Sequence, residues 1–262
     1  MHLKPKKSLG QNFLIDQNII NLIVEIGEIN NNDIVIEVGP GTGNLTEKII
    51  LKEPKKLILI EKDKYLAEKL NVKFKKKIKL INKDILQVEE NKFSSDRMIF
   101  FGNLPYNISS QLLVKWIRNK DLNNICKKMI LMFQKEVADR IIAQTNQKDY
   151  GRLSILSSWK LDAKRIKDVN PGAFYPSPKV KSTILLIKPK SHIFNIKNPK
   201  NLEHITNIFF SQKRKMINKP LKILFKDIYK ISKKFNLELN KRPQNLSPLD
   251  YFNLCKEYEN LN

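Results

Sequence analysis

The sequence predicts an open α/β fold, a mostly parallel sheet with helices on both faces, followed by a small all-helical domain. Through the first two-thirds of the chain, short runs rich in β-branched residues alternate with helical periodicity, as they do in parallel sheets. A glycine-rich loop joins the first of these runs to a helix. Beyond Pro189 only helical periodicity is visible. We therefore expect two domains, residues 1–188 and residues 189–262.

The individual elements follow from the spacing of apolar residues, which differs between strands and helices. The predicted strands are Ile34–Val38, Leu57–Ile60, Ile78–Ile81, Met98–Gly102, Met129–Phe133 and Ser182–Ile187. The predicted helices of the first domain are Gln17–Ile26, Leu45–Leu51, Tyr65–Val72 and Ser109–Ile117. Asp16 is expected to cap the first helix, because its carboxylate can accept the free N–H groups of the first turn. After a linker over 189–201, helices are predicted over 202–210, 220–235 and 247–258.

The net charge of +23 indicates a polyanionic partner such as nucleic acid. A second explanation stays open: 42 Lys against 7 Arg, with 34 Ile and 28 Asn, is typical of an A/T-rich coding sequence. The tail is the more densely basic part, with 15 basic and 6 acidic residues over 189–262.

Other composition features narrow the function classes. No apolar run approaches the length of a membrane span, and the basic N-terminus has no apolar core typical of a secretory signal, so we expect a cytoplasmic protein with no membrane partner. Cys126 and Cys255 lie far apart, and the three histidines do not cluster, so no metal site is expected.

The loop EVGPGTGNLT, residues 37–46, is the strongest local indication of a cofactor. Glycines let the backbone turn tightly and approach a ligand, and the following helix N-terminus favours an anionic group. A dinucleotide fingerprint would place its third glycine at position 44, which is Asn. The alternate glycines Gly39, Gly41 and Gly43 are instead associated with S-adenosylmethionine, although the loop alone leaves the dinucleotide alternative open.

Two acids at the ends of the next strands favour S-adenosylmethionine. Glu61 ends the second strand, where a carboxylate can accept hydrogen bonds from both ribose hydroxyls. Asp84 follows the third strand and is expected to take the adenine amino group. Because both lie on the side of the glycine loop, the sequence predicts one pocket.

The tetrapeptide Asn103-Leu104-Pro105-Tyr106 after the fourth strand predicts the chemistry. The lone pair of an aromatic amine is delocalised, but the Asn103 side-chain carbonyl and the Leu104 main-chain carbonyl can each accept one amino hydrogen. Together they would pull the nitrogen toward tetrahedral geometry for attack on a sulfonium methyl. Pro105 would hold the turn rigid, and Tyr106 would stack on the base, which must leave its own stack to enter.

A second ring is expected on the other face of that base. The proline-rich segment 171–182 contains Phe174 and Tyr175, and the residues alone do not decide between them. A second interpretation stays equally open, in which the segment is an exposed proline-rich turn whose aromatic rings belong to the core.

Together these motifs resemble the small-subunit ribosomal RNA adenine dimethyltransferases, the family whose loss confers kasugamycin resistance in bacteria. The resemblance runs nearly end to end. It is carried by KKSLGQNFL (6–14), EVGPGTGNLT (37–46), the acids at 61 and 84, NLPYNIS (103–109), GAFYPSPKVKS (172–182), FFSQKRKMINKPLK (209–222) and RPQNLSPLDYFNL (242–254).

The resemblance implies a Rossmann-like methyltransferase sheet and a role for each site residue. The implied cofactor-binding residues are Asn12, Leu14, Gly39, Glu61, Asp84 and Asn103. Phe174, rather than Tyr175, would stack opposite Tyr106. The implied reaction adds two methyl groups to each of two adjacent adenosines in the 3′-terminal hairpin of 16S rRNA. The implied partner is that RNA within the immature small subunit. The protein is expected to be a monomer.

The tail departs from the family pattern at two places. The family tends to carry an Arg pair and a Thr where this chain has Lys213-Arg214-Lys215-Met216. The three basic residues of this segment are expected to contact phosphates from a helix. Pro220 stands where a helix-compatible residue is usual. The alternatives to the implied function are methylation of large-subunit rRNA, methylation of DNA adenine, and a non-catalytic RNA-binding assembly factor.

Overall fold

The computed structural model describes residues 5–6 and 9–261. Its strands are β1 Phe13–Leu14, β2 Ile34–Val38, β3 Lys56–Glu61, β4 Lys79–Asn82, β5 Met98–Asn103, β6 Cys126–Gln134, β7 Leu161–Val169, β8 Phe174–Tyr175 and β9 Ser182–Pro189. Its helices are α1 Gln17–Gly27, α2 Asn44–Ile50, α3 Lys64–Phe74, α4 Ser109–Arg118, α5 Leu122–Ile125, α6 Lys135–Ile142, α7 Arg152–Lys160, α8 Pro199–Phe210, α9 Asn218–Leu224, α10 Ile228–Phe235 and α11 Pro248–Leu261.

The main sheet confirms the predicted α/β fold. Its strand order is β4-β3-β2-β5-β6-β9-β7, and strands β2 to β6 run parallel. Strand β9 is antiparallel to β6, with Leu185 opposite Leu131. The central strands are apolar and buried on both faces, which is why they stand out as continuous β-branched runs. Because the parallel strands share one direction, β2, β3, β4 and β5 present their carboxyl ends at one edge.

Strand β7 was missed because it carries a mixed charged pattern, LDAKRIKDV, typical of an edge strand. The predicted cap of α1 is confirmed: the Asp16 carboxylate accepts the backbone N–H groups of Asn18 and Ile19 at 2.9 and 3.1 Å. The predicted end of the linker is wrong, because Asn198 caps α8 and the helix already begins at Pro199.

The single helix predicted over 220–235 is also wrong, because two helices occupy this range. Asp227 lies between α9 and α10, and its carboxylate accepts the N–H groups of Tyr229 and Lys230, both at 3.0 Å. That cap begins a new helix. Pro220 fits within the first turn of α9, where its missing N–H leaves no helical bond unmade.

The chain forms two compact units. One contains the described residues up to Ala138 together with Ala163–Pro189, and the other contains Asp139–Asp162 together with the described residues from Lys190 onward. Residues 139–162 therefore belong to the same unit as the tail. The prediction had placed them in the first domain, which was expected to end at residue 188. Within the second unit, the Tyr150 hydroxyl donates to the Leu246 carbonyl at 2.9 Å, and the Trp159 ring N–H donates to the Phe194 carbonyl at 2.8 Å.

In the described part of the chain, none of the helices combines the length and the apolar character that crossing a membrane requires.

Candidate active site

A pocket lies at the carboxyl ends of β2, β3 and β5, within the first unit. Nine of the ten site residues predicted from the sequence line it. They are Asn12, Leu14, Gly39, Glu61, Asp84, Asn103, Leu104, Pro105 and Tyr106. Phe174 does not line it. The pocket arises because the loop after each parallel strand extends beyond the same edge of the sheet.

The glycine loop between β2 and α2 needs glycine for two reasons. Gly39, Gly41 and Gly43 have φ values of 66°, 58° and 84°, in the left-handed region that side chains disfavour. A Cβ on Gly41 would lie 2.8 Å from the ring of Phe13, and one on Gly43 would lie 2.7 Å from the ring of Phe74. The loop therefore forms a tight backbone cradle, and a side chain at Gly41 or Gly43 would both strain it and clash with a packed aromatic ring.

Glu61 is held rigidly under this cradle. One carboxylate oxygen accepts the Gly41 N–H at 3.2 Å, and the other accepts the Asp63 N–H at 2.8 Å. Burial raises the pKa of Glu61, and these backbone hydrogen bonds oppose the rise. Each carboxylate oxygen has a second lone pair, so the fixed carboxylate can still accept two hydroxyl groups.

Glu37 was not predicted as a site residue, although it begins the glycine motif and lines the same pocket. The Thr46 hydroxyl donates to its carboxylate at 2.7 Å. Burial raises the pKa of Glu37 to about 8, against the opposing effect of the Thr46 hydrogen bond. The raised pKa means that the protonated form of this side chain persists to a higher pH than it does for an exposed carboxyl group. An acid inside the apolar run IVIEV was the signal that sequence reasoning could have used.

Asp84 lies on another wall of the pocket, where it begins a short turn after β4. Its carboxylate accepts the Leu86 N–H at 2.9 Å and the Lys62 ammonium at 2.9 Å. Burial would raise the pKa of Asp84, but the hydrogen bonds from Leu86 and Lys62 outweigh it and leave the pKa below its usual value. The side chain is therefore an oriented carboxylate that can accept a further hydrogen bond.

The segment before α1 forms the remaining wall and is anchored at both ends. Toward its start, Lys6 and Gln11 donate to the buried carboxylate of Asp63 at 3.0 and 3.1 Å. Lys7 and Ser8, which belong to the predicted KKSLGQNFL motif, lie outside the described residues.

Two asparagines bind the other end of this segment. The Asn103 amide donates to the Asn12 carbonyl at 2.7 Å, and the Asn44 amide donates to the Leu14 carbonyl at 2.8 Å. Among the described residues, nothing donates to the Asn103 side-chain oxygen. The amide nitrogen is thus engaged while the oxygen keeps its capacity to accept, as the predicted chemistry requires.

Tyr106 is fixed by its hydroxyl, which lies 2.6 Å from the Ser182 Oγ. Ser182 stands opposite Gln134 at the carboxyl end of β6, so this contact orients the ring against the sheet edge. Burial raises the pKa of Tyr106, opposed by the Ser182 hydrogen bond. The loop itself closes as a turn, in which the Ile108 N–H donates to the Pro105 carbonyl at 3.1 Å.

Phe174 lies in the hydrophobic core, paired with Leu14 through the small β1–β8 sheet. Its relative exposure is 3%, whereas that of the neighbouring Tyr175 is 58%. A base can stack on Phe174 only if the ring becomes exposed, so the predicted stacking role stays a prediction.

This chain is similar to proteins whose functions are named. A profile of the ribosomal RNA adenine dimethylase family matches residues 2–260. Ribosomal RNA small subunit methyltransferase A of Pelagibacter ubique (strain HTCC1062) is 54% identical over 261 residues, covering 100% of this chain and 99% of that protein. The protein of the same name from Francisella tularensis subsp. novicida (strain U112) is 38% identical, covering 96% and 97%.

Solved structures give a consistent result for the fold. A dimethyladenosine transferase from Plasmodium falciparum superposes with a TM-score of 0.81 at 27% identity, covering 95% of this chain and 98% of that one. The 23S rRNA methyltransferase ErmE superposes with a TM-score of 0.69 at 22% identity, covering 95% and 100%. The second likeness shows the fold alone.

Proposed function

The chain belongs to the ribosomal RNA adenine dimethylase family, and from that premise we propose the reaction in detail. It is an S-adenosylmethionine-dependent enzyme that dimethylates adenine in small-subunit rRNA. In the proposed reaction, the targets are the exocyclic amino groups of two adjacent adenosines in the 3′-terminal hairpin of 16S rRNA. The observation that carries the proposal is one pocket bringing Gly39, Glu61 and Asn103 together.

The residues of the pocket fit S-adenosylmethionine. The left-handed glycines leave room for its methionine part, the two oxygens of Glu61 fit its ribose hydroxyls, and Asp84 fits its adenine amino group. Asn12 and Leu14 would close the wall above it. When bound, this cofactor supplies an electrophilic methyl group together with its leaving group.

The role of the catalytic loop is to prepare the target nitrogen. The Asn103 side-chain oxygen and the Leu104 main-chain carbonyl each accept one hydrogen of the amino group, which localises its lone pair. The bond from the Asn103 amide to Asn12 supports this role, because it keeps the amide from rotating and its oxygen in place. Preorganisation matters here because an acceptor that must first turn contributes less in the transition state.

The target base would be held between rings. Tyr106 is fixed by Ser182 and lines the pocket, and it supplies one stacking face. Phe174 would supply the other after leaving its buried position. The exposed ring of Tyr175 is the alternative that the residues alone left open.

The RNA would be contacted by exposed basic residues of the second unit, in keeping with the high positive charge of 189–262. The residues expected to contact phosphates do not lie on a helix, because α8 ends at Phe210 and 213–215 follow it. The Lys213 ammonium donates to the carbonyls of Lys148 and Tyr150 at 2.8 and 3.1 Å, which is a structural role. Arg214 and Lys215 are exposed and remain the proposed contacts.

The setting of the reaction is also part of the proposal. The substrate is rRNA within the immature small subunit, the enzyme acts as a monomer, and it works in the cytoplasm. The high charge supports a ribonucleoprotein substrate, since clustered Lys and Arg release counterions from RNA on binding.

Mass spectrometry of rRNA tests this function directly. Small subunits that lack the modification are incubated with this protein and S-adenosylmethionine, and the 3′-terminal fragment of 16S rRNA is analysed. We expect two adjacent adenosines to gain two methyl groups each. Methylation found only in large-subunit rRNA, or none with either subunit, would refute the proposal.

A further inference from the structure

Lys115 on α4 lies outside the pocket but makes an unusual set of contacts. Its ammonium donates to the carbonyls of Ile85 and Val88 at 2.8 and 2.6 Å and to the Glu90 carboxylate at 2.7 Å. The ring N–H of Trp116 donates to the same carboxylate oxygen at 2.8 Å. All three ammonium protons are thus used, and the buried Glu90 is compensated.

These contacts hold the segment that follows Asp84. Asp84 and Ile85 line the pocket, and the Asp84 carboxylate caps the turn whose carbonyls Lys115 binds. On its other side, α4 begins directly after the loop Asn103–Ile108. Lys115 therefore joins the adenine wall of the pocket to the helix that carries the catalytic loop.

We propose that Lys115 is a positioning residue for cofactor recognition, which acts by holding Asp84 in place through the carbonyls of Ile85 and Val88. This proposal rests on the proposed function, because it takes Asp84 to receive the adenine amino group. A purely structural ion pair would stabilise the fold but would have no specific effect on cofactor affinity.

Lys128 is a matched control for that structural alternative. Its side chain is buried, whereas that of Lys115 is partly exposed. Its ammonium binds the Glu28 carboxylate at 2.6 Å and the Ile26 carbonyl at 3.4 Å. Lys128 stands opposite Ile99, near the amino end of β5 and so away from the pocket. Lys115→Met and Lys128→Met therefore both remove an ammonium that binds a carboxylate and a backbone carbonyl, and only the first affects the Asp84 segment.

Calorimetric titration with S-adenosylhomocysteine, the demethylated form of the cofactor, tests the proposal. We expect Lys115→Met to raise Kd about tenfold and Lys128→Met to leave it unchanged, with Tm lowered in both. The double variant Lys115→Met/Glu90→Gln avoids a buried unpaired carboxylate and should show the same rise in Kd. An unchanged Kd in a folded Lys115 variant would overturn the proposal.

A double-mutant cycle with Asp84→Asn shows whether Lys115 acts through Asp84. The fold-increase in Kd of the combined variant should be smaller than the product of the two single fold-increases, because the two substitutions remove the same interaction. Independent, multiplicative losses would overturn the mechanism. If the wild-type protein fails to bind S-adenosylhomocysteine, the proposed function itself is wrong, whereas tight wild-type binding unaffected by Lys115→Met would refute the role of Lys115 alone.

Discussion

The substitution Asn103→Ala removes two contributions that the structure separates. One is the side-chain oxygen that we propose accepts an amino hydrogen of the target base, and the loss of one preorganised acceptor should cost about 3 kcal/mol in the transition state. That corresponds to roughly a 150-fold slower methyl transfer. The other is the amide bond to the Asn12 carbonyl, 2.7 Å long, which anchors one pocket wall. Its loss should cost about 1 kcal/mol, or about fivefold in cofactor affinity.

Single-turnover methylation of unmodified small subunits at saturating S-adenosylmethionine isolates the first contribution, and titration with S-adenosylhomocysteine measures the second. Asn44→Ala is the control, because Asn44 donates to the Leu14 carbonyl of the same wall at 2.8 Å without belonging to the proposed catalytic loop. We expect it to weaken cofactor binding to a similar extent and to keep the saturated rate. An Asn103→Ala variant with a near-normal saturated rate would refute the proposed activation of the amine.

Four further outcomes are expected. Glu61→Ala should weaken the binding of S-adenosylhomocysteine, measured by calorimetry, by about 1 to 3 kcal/mol and leave RNA affinity unchanged. An unaltered cofactor affinity would mean that the pocket is misassigned. The folded pKa of Glu37, about 8, lies above that of an unfolded carboxyl, so the unfolded chain releases its proton first and the free energy of unfolding falls as pH rises toward 8. Glu37→Gln should make Tm less dependent on pH between the pKa of an unfolded carboxyl group and about pH 8. An unchanged dependence of Tm on pH would contradict this. Phe174→Leu should reduce methylation at every salt concentration, by the loss of a stacking face worth about 1 to 3 kcal/mol; normal rates would exclude the ring from base binding. Charge reversal at Arg214 and Lys215 should flatten the dependence of log affinity on log salt by about one unit per lost contact in filter binding, and parallel slopes would remove both from the interface.

Two neighbouring residues serve as controls for the last two variants. Tyr175→Leu changes the exposed ring next to Phe174, so a larger loss of methylation in that variant would assign base stacking to Tyr175 instead. Lys213→Met removes a lysine whose ammonium binds two backbone carbonyls. It should lower Tm and leave the salt dependence of RNA binding unchanged.

Local sequence patterns were sufficient for every strand of the main sheet except β7, and for the glycine loop and the tetrapeptide that contribute to the pocket. Strands β2, β3 and β5 are buried on both faces, so their apolar runs are unmistakable, and glycines with left-handed φ cannot readily be replaced. The cap at Asp16 is similarly local, because donor and acceptor are two or three residues apart. Once the parallel order was predicted, the strand-end residues had to meet at one edge.

Local sequence patterns were insufficient where contacts between residues distant in sequence determine the structure. Strand β7 is recognisable only through its place at the edge of the sheet, and Lys213 became structural because distant backbone carbonyls lie within its reach. The burial of Phe174 likewise follows from pairing with Leu14.

The sequence by itself determined the fold class, the glycine loop and the candidate catalytic tetrapeptide, because each depends on the order of neighbouring residues. Tertiary structure alone decided how the site is held: Asn103 binds the carbonyl of a residue 91 positions away, and Lys115 reaches the Glu90 carboxylate 25 positions away. Such bonds depend on the direction and distance of side chains after packing, which no local spacing encodes. The raised pKa of Glu37 has the same origin, since its carboxyl group becomes buried only once the sheet and the glycine loop have closed around it.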